Sequence, residues 1–287
     1  MPNLTDIGTV RDLLNRHDFT FSKSLGQNFL VNPSVCPRMA QACAEPYAEG
    51  VVEIGPGIGV LTQELAQRFR KVVSYELDSR LLPVLHETLA QCGNVTVCNE
   101  DILKADVAAL LAEAFAGMRV NVCANLPYYI TSPILMFLLE NRFPFGNITV
   151  MVQKEAAERI CAPPGSRLAG ALTAAVHYYA EPEKLFSVSR GSFVPAPNVD
   201  STVIRLTVRK EPPVRVADES YFFRLIAAAF AQRRKTAVNS ISAGLGIPKQ
   251  IVQQSLLACG KSLSVRAETF SLEDFAALSA VLQNSER

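Results

Sequence analysis

Over its first 190 residues the chain alternates short apolar runs with stretches of helical period, and this rhythm constrains the fold more than any other feature. VVEI (51–54), KVVSYE (71–76), NVTVC (94–98), RVNVCA (119–124) and NITVMV (147–152) read as strands. Helical patterns separate them, over Val60 to Phe69, Arg80 to Leu89, Ala105 to Ala116, the TSPILMFLLE segment and KEAAERI. Strands spaced by single helices imply parallel strands joined by right-handed crossovers, so the expected class is α/β with a doubly wound sheet. Near Phe186 the rhythm changes. EKLFSVS and DSTVIRLTV are two strand-like runs with a Phe-Val-Pro-Ala-Pro segment and no helix between them, which fits an antiparallel hairpin at the sheet edge. Beyond EPP (211–213) only helical patterns remain, with Ser271 the expected N-cap of the last. The expected division is 1–211 for the α/β domain and 212–287 for a small all-α domain.

At 287 residues, 49% hydrophobic and 19% charged, the chain has enough apolar surface to bury a core without disulfides or a structural metal. Its seven cysteines (36, 43, 92, 98, 123, 161 and 259) form no C-x-x-C pair, so a reduced, cytoplasmic setting is expected. The first ten residues show no basic stretch followed by an apolar run, and no signal peptide is expected. The twenty uncharged residues between Arg119 and Glu140 could in length span a bilayer. They include Asn121, Asn125, Pro127, Ser132 and Pro133, and read instead as a buried strand, a loop and a helix. Charge is uneven: residues 1–204 carry −4 and residues 205–287 carry +5. A basic C-terminal portion suits a polyanion partner, although ordinary surface charge would also give this value. His17, His86 and His177 stand apart from one another and from any cysteine, so no metal is expected.

In doubly wound sheets, ligands bind beyond the carboxyl ends of the strands, where the strand order reverses. The first strand closes in Glu53-Ile54-Gly55-Pro56-Gly57-Ile58-Gly59, where Gly55 and Gly57 let backbone approach a ligand. Val60 and Pro56 depart from the dinucleotide fingerprint, which disfavours a nicotinamide oxidoreductase. Glu76 ends the second strand, at a spacing where a carboxylate can accept from ribose hydroxyls, and Asp101 follows the third, where it can accept from an adenine amine. Any one of these acids could be a solvated loop charge. Three successive strand ends bearing ligand groups, with no Lys or Arg in the glycine turn, suit an adenosyl ligand without a pyrophosphate.

After the fourth strand comes Asn125-Leu126-Pro127-Tyr128. An aromatic amine is a poor nucleophile because its lone pair is delocalised into the ring. The Asn125 side-chain oxygen and the Leu126 carbonyl could accept its two hydrogens, with Pro127 fixing the turn and Tyr128 stacking on an extruded base. A proline turn with a buried tyrosine is the alternative. Phe193 could complete a sandwich about the base or could equally be a hairpin core residue. Arg233, Arg234 and Lys235 form the densest basic cluster, either a phosphate contact or a solvated face.

With these motifs in this order, the sequence closely resembles the KsgA/RsmA family of small-subunit rRNA adenine dimethyltransferases, nearly end to end. The matching stretches are Ser24 to Leu30, Glu53 to Gly59, Tyr75 to Asp78, Asn125 to Tyr128, Gln153 to Glu155, Phe193 to Pro197 with Val199-Asp200-Ser201, Ala229 to Thr236 and Arg266-Ala267-Glu268. The resemblance implies a Rossmann-like class I methyltransferase, with a mostly parallel seven-stranded sheet. It implies S-adenosylmethionine as methyl donor, bound at Asn28, Leu30, Gly55, Glu76, Asp101 and Asn125. It further implies N6-dimethylation of two adjacent adenosines in the 3′-terminal hairpin loop of 16S rRNA, on a 30S precursor particle, by a protein expected to be a monomer. The helical C-terminal domain would then help to dock rRNA. Two related readings stay open: a large-subunit rRNA dimethyltransferase of the macrolide-resistance type, and a non-catalytic nucleic-acid-binding relative.

Overall fold

A computed structural model describes residues 2–22, 26–45 and 47–285; Ser24 and Leu25 of the first motif lie outside this set. The chain divides into two compact units, Met1–Ala157 with Pro182–Val208, and Glu158–Glu181 with Arg209–Arg287. The second unit therefore includes residues 158–181 as well as those after 208.

The first unit opens with α1 (Ile7–Arg16), capped where the Asp6 carboxylate accepts from Thr9 N at 2.7 Å, then β1 (Phe29–Leu30) and α2 (Val35–Ala44). The alternating series follows: β2 (Gly50–Ile54), α3 (Val60–Ala66), β3 (Lys71–Tyr75), α4 (Leu82–Thr88), β4 (Val95–Cys98), α5 (Val107–Ala114), β5 (Val120–Asn125), α6 (Thr131–Glu140), β6 (Phe145–Gln153) and α7 (Lys154–Ile160). The segment of twenty uncharged residues is indeed a buried strand, a loop and a helix, and no helix among the described residues is long and apolar enough to cross a membrane. After α8 (Ala171–Tyr179), which belongs to the second unit, come β7 (Ala180–Val188), β8 (Phe193–Val194) and β9 (Ser201–Val208).

Seven strands form one sheet in the order β4-β3-β2-β5-β6-β9-β7. β4 to β6 run parallel, and β9 is antiparallel to β6, with Ser201 opposite Gln153 and Thr207 opposite Asn147. The class is thus the α/β sheet that the rhythm predicts. The later of the two terminal runs, β9, lies inside β7, and the connection between them is more than a loop. Its β8 pairs with β1 in a separate two-stranded sheet, Phe193 opposite Leu30. Every residue of β2 is buried, as expected of a strand covered on both faces. One apolar cluster joins Met39, Cys43, Val51, Leu65, Val72 and Cys123; another joins Val10, Leu13, Phe29, Ile58, Val84 and Leu85.

In the second unit, α9 (Glu219–Phe230), α10 (Ala237–Leu245), α11 (Lys249–Ala258) and α12 (Leu272–Ser285) are helical, matching the pattern that follows residue 213. Ser271 caps α12 as predicted: Asp274 N donates to its hydroxyl at 3.2 Å, while Ser271 N donates to the Asp274 carboxylate at 3.0 Å.

Candidate active site

The strand order reverses between β2 and β5, so the loops after β2, β3, β4 and β5 converge at the carboxyl end of the sheet. A cavity of about 160 Å³ opens there. Its wall contains Asn28, Leu30, Gly55, Gly57, Glu76, Asp101, Asn125, Leu126, Pro127, Tyr128 and Phe193. These are the residues that the sequence nominates for the donor and acceptor sites, brought together from separate segments of the chain. Arg233, Arg234 and Lys235 are not part of it. They lie in the second unit, on the exposed turn between α9 and α10.

The glycine turn is held open by backbone conformation. Gly55 and Gly57 have φ of +72° and +60°, where a side chain would be strained, and a Cβ at Gly57 would meet the Phe29 ring at 3.4 Å. Glu76 ties this turn to the next loop, accepting from Asp78 N at 2.8 Å and from Gly57 N at 3.3 Å. Only 6% exposed, its carboxyl is pushed above the usual range by burial, against which these two N–H groups act. Asp101 is half-buried and accepts from Leu103 N at 3.1 Å. The N-terminal segment closes one side: Asn28 Nδ2 donates to the Gly26 carbonyl at 2.9 Å, and Gln27 Nε2 donates to Asp78 at 2.8 Å. Asp78 is further paired with Arg80 at 2.6 Å, and this contact holds its carboxyl below the usual carboxylate range.

Asn125 ends β5 beside Met151 of β6, so the position of its side chain is set by the most regular part of the molecule. Leu126 is buried, and the Pro127 carbonyl accepts from Ile130 N at 3.1 Å, closing the turn that carries Tyr128. Phe193 is 4% exposed and belongs to the core cluster around Met39, yet also lines the cavity. Phe193 is thus a core residue that also faces the cavity. Sequence reasoning does not single out Leu77, Glu100, Ile102 and Tyr129, which also line the cavity. All four adjoin nominated residues, and that adjacency is the signal that could have found them.

Among the described residues the cavity wall holds three carboxylates, Glu76, Glu100 and Asp101, and no Lys or Arg. No group of three or more His, Cys, Asp or Glu suited to a metal occurs among them. Such a wall favours a cationic ligand and opposes a pyrophosphate.

The chain matches the model of a family described as ribosomal RNA adenine dimethylase over residues 18–283. It is 48% identical over 286 residues to "Ribosomal RNA small subunit methyltransferase A" of Bacillus cereus (strain AH187), covering 97% of this chain and 98% of the relative. The protein of the same name from Bacillus anthracis (strain A0248) matches equally. Among solved structures, 23S rRNA methyltransferase ErmE superposes with a TM-score of 0.66 at 29% identity, covering 89% of this chain and 100% of that one. A dimethyladenosine transferase from Plasmodium falciparum has the same fold, with a TM-score of 0.70 at 24% identity over 90% of this chain and 98% of that one.

Proposed function

Because the chain belongs to the ribosomal RNA adenine dimethylase family, we propose that it methylates 16S rRNA, transferring methyl groups from S-adenosylmethionine to the exocyclic amines of two adjacent adenosines in the 3′-terminal hairpin loop. The products are N6-dimethyladenosines, made on a 30S precursor particle by a monomeric, cytoplasmic enzyme. The observation that carries the donor assignment is the acidic cavity wall without Lys or Arg among the described residues. S-adenosylmethionine carries a positive sulfonium and an ammonium group and has no phosphate. The free cysteine thiols support the reducing compartment.

The donor supplies an activated methyl group. The protein's residues bind, orient and exclude water. In this reading Glu76 accepts from the ribose hydroxyls and Asp101 from the adenine amine, while Asn28, Leu30, Gly55 and Gly57 shape the wall. Asn125 Oδ1 and the Leu126 carbonyl accept the two amine hydrogens of the target base, turning its lone pair towards the methyl group and stabilising positive charge as it develops on nitrogen. Tyr128 and Phe193 stack on the base. Phe193→Leu, which keeps bulk in the core, is expected to slow transfer roughly fivefold, corresponding to about 1 kcal/mol of lost stacking. An unchanged single-turnover rate would leave Phe193 with its core role alone.

The second unit is assigned to rRNA docking through Arg233, Arg234 and Lys235. Neutralising the three should flatten the salt dependence of particle binding by roughly 0.7 for each single-stranded RNA phosphate that is no longer neutralised. A slope identical to wild type would return the cluster to a solvated face. The whole reading is tested with labelled S-adenosylmethionine and, in parallel, small-subunit particles that lack the modification and unmodified large-subunit rRNA, followed by nuclease mapping. Dimethyladenosine at two adjacent positions in the 3′-terminal loop is expected. Label confined to large-subunit rRNA would move the chain to the activity named for ErmE, and donor binding without transfer would make it a binding factor.

A further inference from the structure

The Val199-Asp200-Ser201 stretch takes no direct part in methyl transfer, yet it meets the site. Ser201 opens β9 with no exposed surface, and its hydroxyl shares a hydrogen bond with the Tyr128 hydroxyl at 3.0 Å. We propose that Ser201 is a positioning residue for the acceptor base, fixing the direction in which the Tyr128 ring extends by holding its far end. This inference rests on the reading of Tyr128 as the stacking platform.

Three observations support it. First, Ser201 is itself immobilised: it lies opposite Gln153 in the β6–β9 pair, and the carbonyl of the preceding Asp200 accepts from Lys154 N at 3.0 Å. The Asp200 carboxylate in turn accepts from Arg190 N at 2.9 Å, which ties in the start of the β8 loop. Second, Tyr128 is half-buried whereas Ser201 has no exposed surface, so the bond ties a partly open ring to a partner held inside the sheet. A ring attached only through Cβ can swing about χ1, whereas one pinned at its hydroxyl keeps its long axis in one place, as a stacking surface must. Third, the same connection presents the other aromatic. Phe193 is fixed by pairing with Leu30, by Val31 N donating to the Ser192 carbonyl at 2.8 Å, and by Asn32 Nδ2 donating to the Ser192 hydroxyl at 3.0 Å. One segment, residues 189–201, thus carries Phe193 on β8 and, where it enters β9, the partner of the Tyr128 hydroxyl.

The test is a double-mutant cycle of Ser201→Ala and Tyr128→Phe in single-turnover methyl transfer on unmodified small-subunit particles, with S-adenosylhomocysteine titration alongside. Each single change is expected to slow transfer roughly three- to tenfold. The double variant should be no slower than the worse single, and affinity for S-adenosylhomocysteine should stay within about twofold of wild type, because the donor side of the cavity is untouched. Rate reductions that multiply in the double variant would overturn the proposal, as would a wild-type rate for Ser201→Ala when Tyr128→Ala is slow. A wild-type rate for Tyr128→Ala would remove the stacking reading, and the proposal with it. Should Ser201→Ala fold poorly, Tyr128→Phe alone decides, since it breaks the same bond at the less buried partner; an unaltered rate there refutes the anchor.

Discussion

Asn125→Ala is expected to slow single-turnover methyl transfer at saturating donor roughly a hundredfold, the equivalent of about 3 kcal/mol. The magnitude follows from what the side chain is asked to do. A base amine conjugated with its ring must give up planarity to attack carbon, and an acceptor preset at the end of β5 stabilises the pyramidal, partly positive nitrogen without itself reorganising. Asn125 is suited to that task by its register against Met151, which fixes its backbone inside the parallel part of the sheet. The Leu126 carbonyl, carried by the same turn, remains in the variant and accounts for residual activity. Asn125→Asp, which retains an oxygen acceptor, is expected to lose less. Rapid-quench measurement under saturating donor separates this from a binding defect; an Asn125→Ala enzyme transferring at the wild-type rate would remove the residue from the chemistry.

Glu53→Gln is expected to change stability with pH rather than the fold. Glu53 has no exposed surface, and the Ser74 hydroxyl donates to its Oε2 at 2.6 Å, with Thr62 as a further side-chain partner. Burial pushes its carboxyl up from 4.5 to about 7, opposed chiefly by the Ser74 hydroxyl and reinforced by the charge of Glu76. Cys36 and Cys123 are buried, and burial together with the Glu53 charge keeps the Cys36 thiol protonated. Between pH 4.5 and about 7 the folded protein holds a proton that the unfolded chain has released. Stability therefore falls as pH rises through that window, by about 3 kcal/mol in all, and is flat with respect to this group above it. Glu53→Gln removes the titration, so its advantage over wild type should grow by about 3 kcal/mol between roughly pH 4.5 and pH 8. Urea unfolding of both proteins at a series of pH values isolates this group from all others. A difference between them that does not vary with pH would show that Glu53 is not the source.

The parts of the molecule legible in the sequence are those that local pattern controls. Strands β2 to β6 and the helices between them announce themselves because each buries a face with its own period, and the expected ends differ from the observed ones by one to a few residues. Val60 to Phe69 reads as helical, for example, whereas α3 closes at Ala66. Elements without a period of their own are not legible. β1 and β8 are two residues each, too short to alternate, and exist because they pair with one another across the chain. α8, ALTAAVHYY, is small and apolar along most of its length, with six of nine residues buried and little polar contrast between its faces.

For the site, residue types at strand ends are sufficient to nominate Glu76, Asp101 and the Asn125 to Tyr128 loop, because a doubly wound sheet places every such end on one rim. The sequence by itself therefore determined the fold class and nominated residues that the fold gathers on one rim of the sheet. Only the tertiary structure decided which polar groups face the ligand cavity and which are withdrawn from it. Glu53 and Glu76 both sit at strand ends, but Glu53 points into a core of thiols and Glu76 onto the glycine turn. Likewise, the absence of Lys and Arg from the described cavity wall, and the bond from Ser201 to Tyr128 across 73 residues, depend on where distant segments meet. Periodicity carries information about which face a residue takes on its own element; it carries none about what stands opposite, because that is fixed by long-range pairing and the desolvation it imposes.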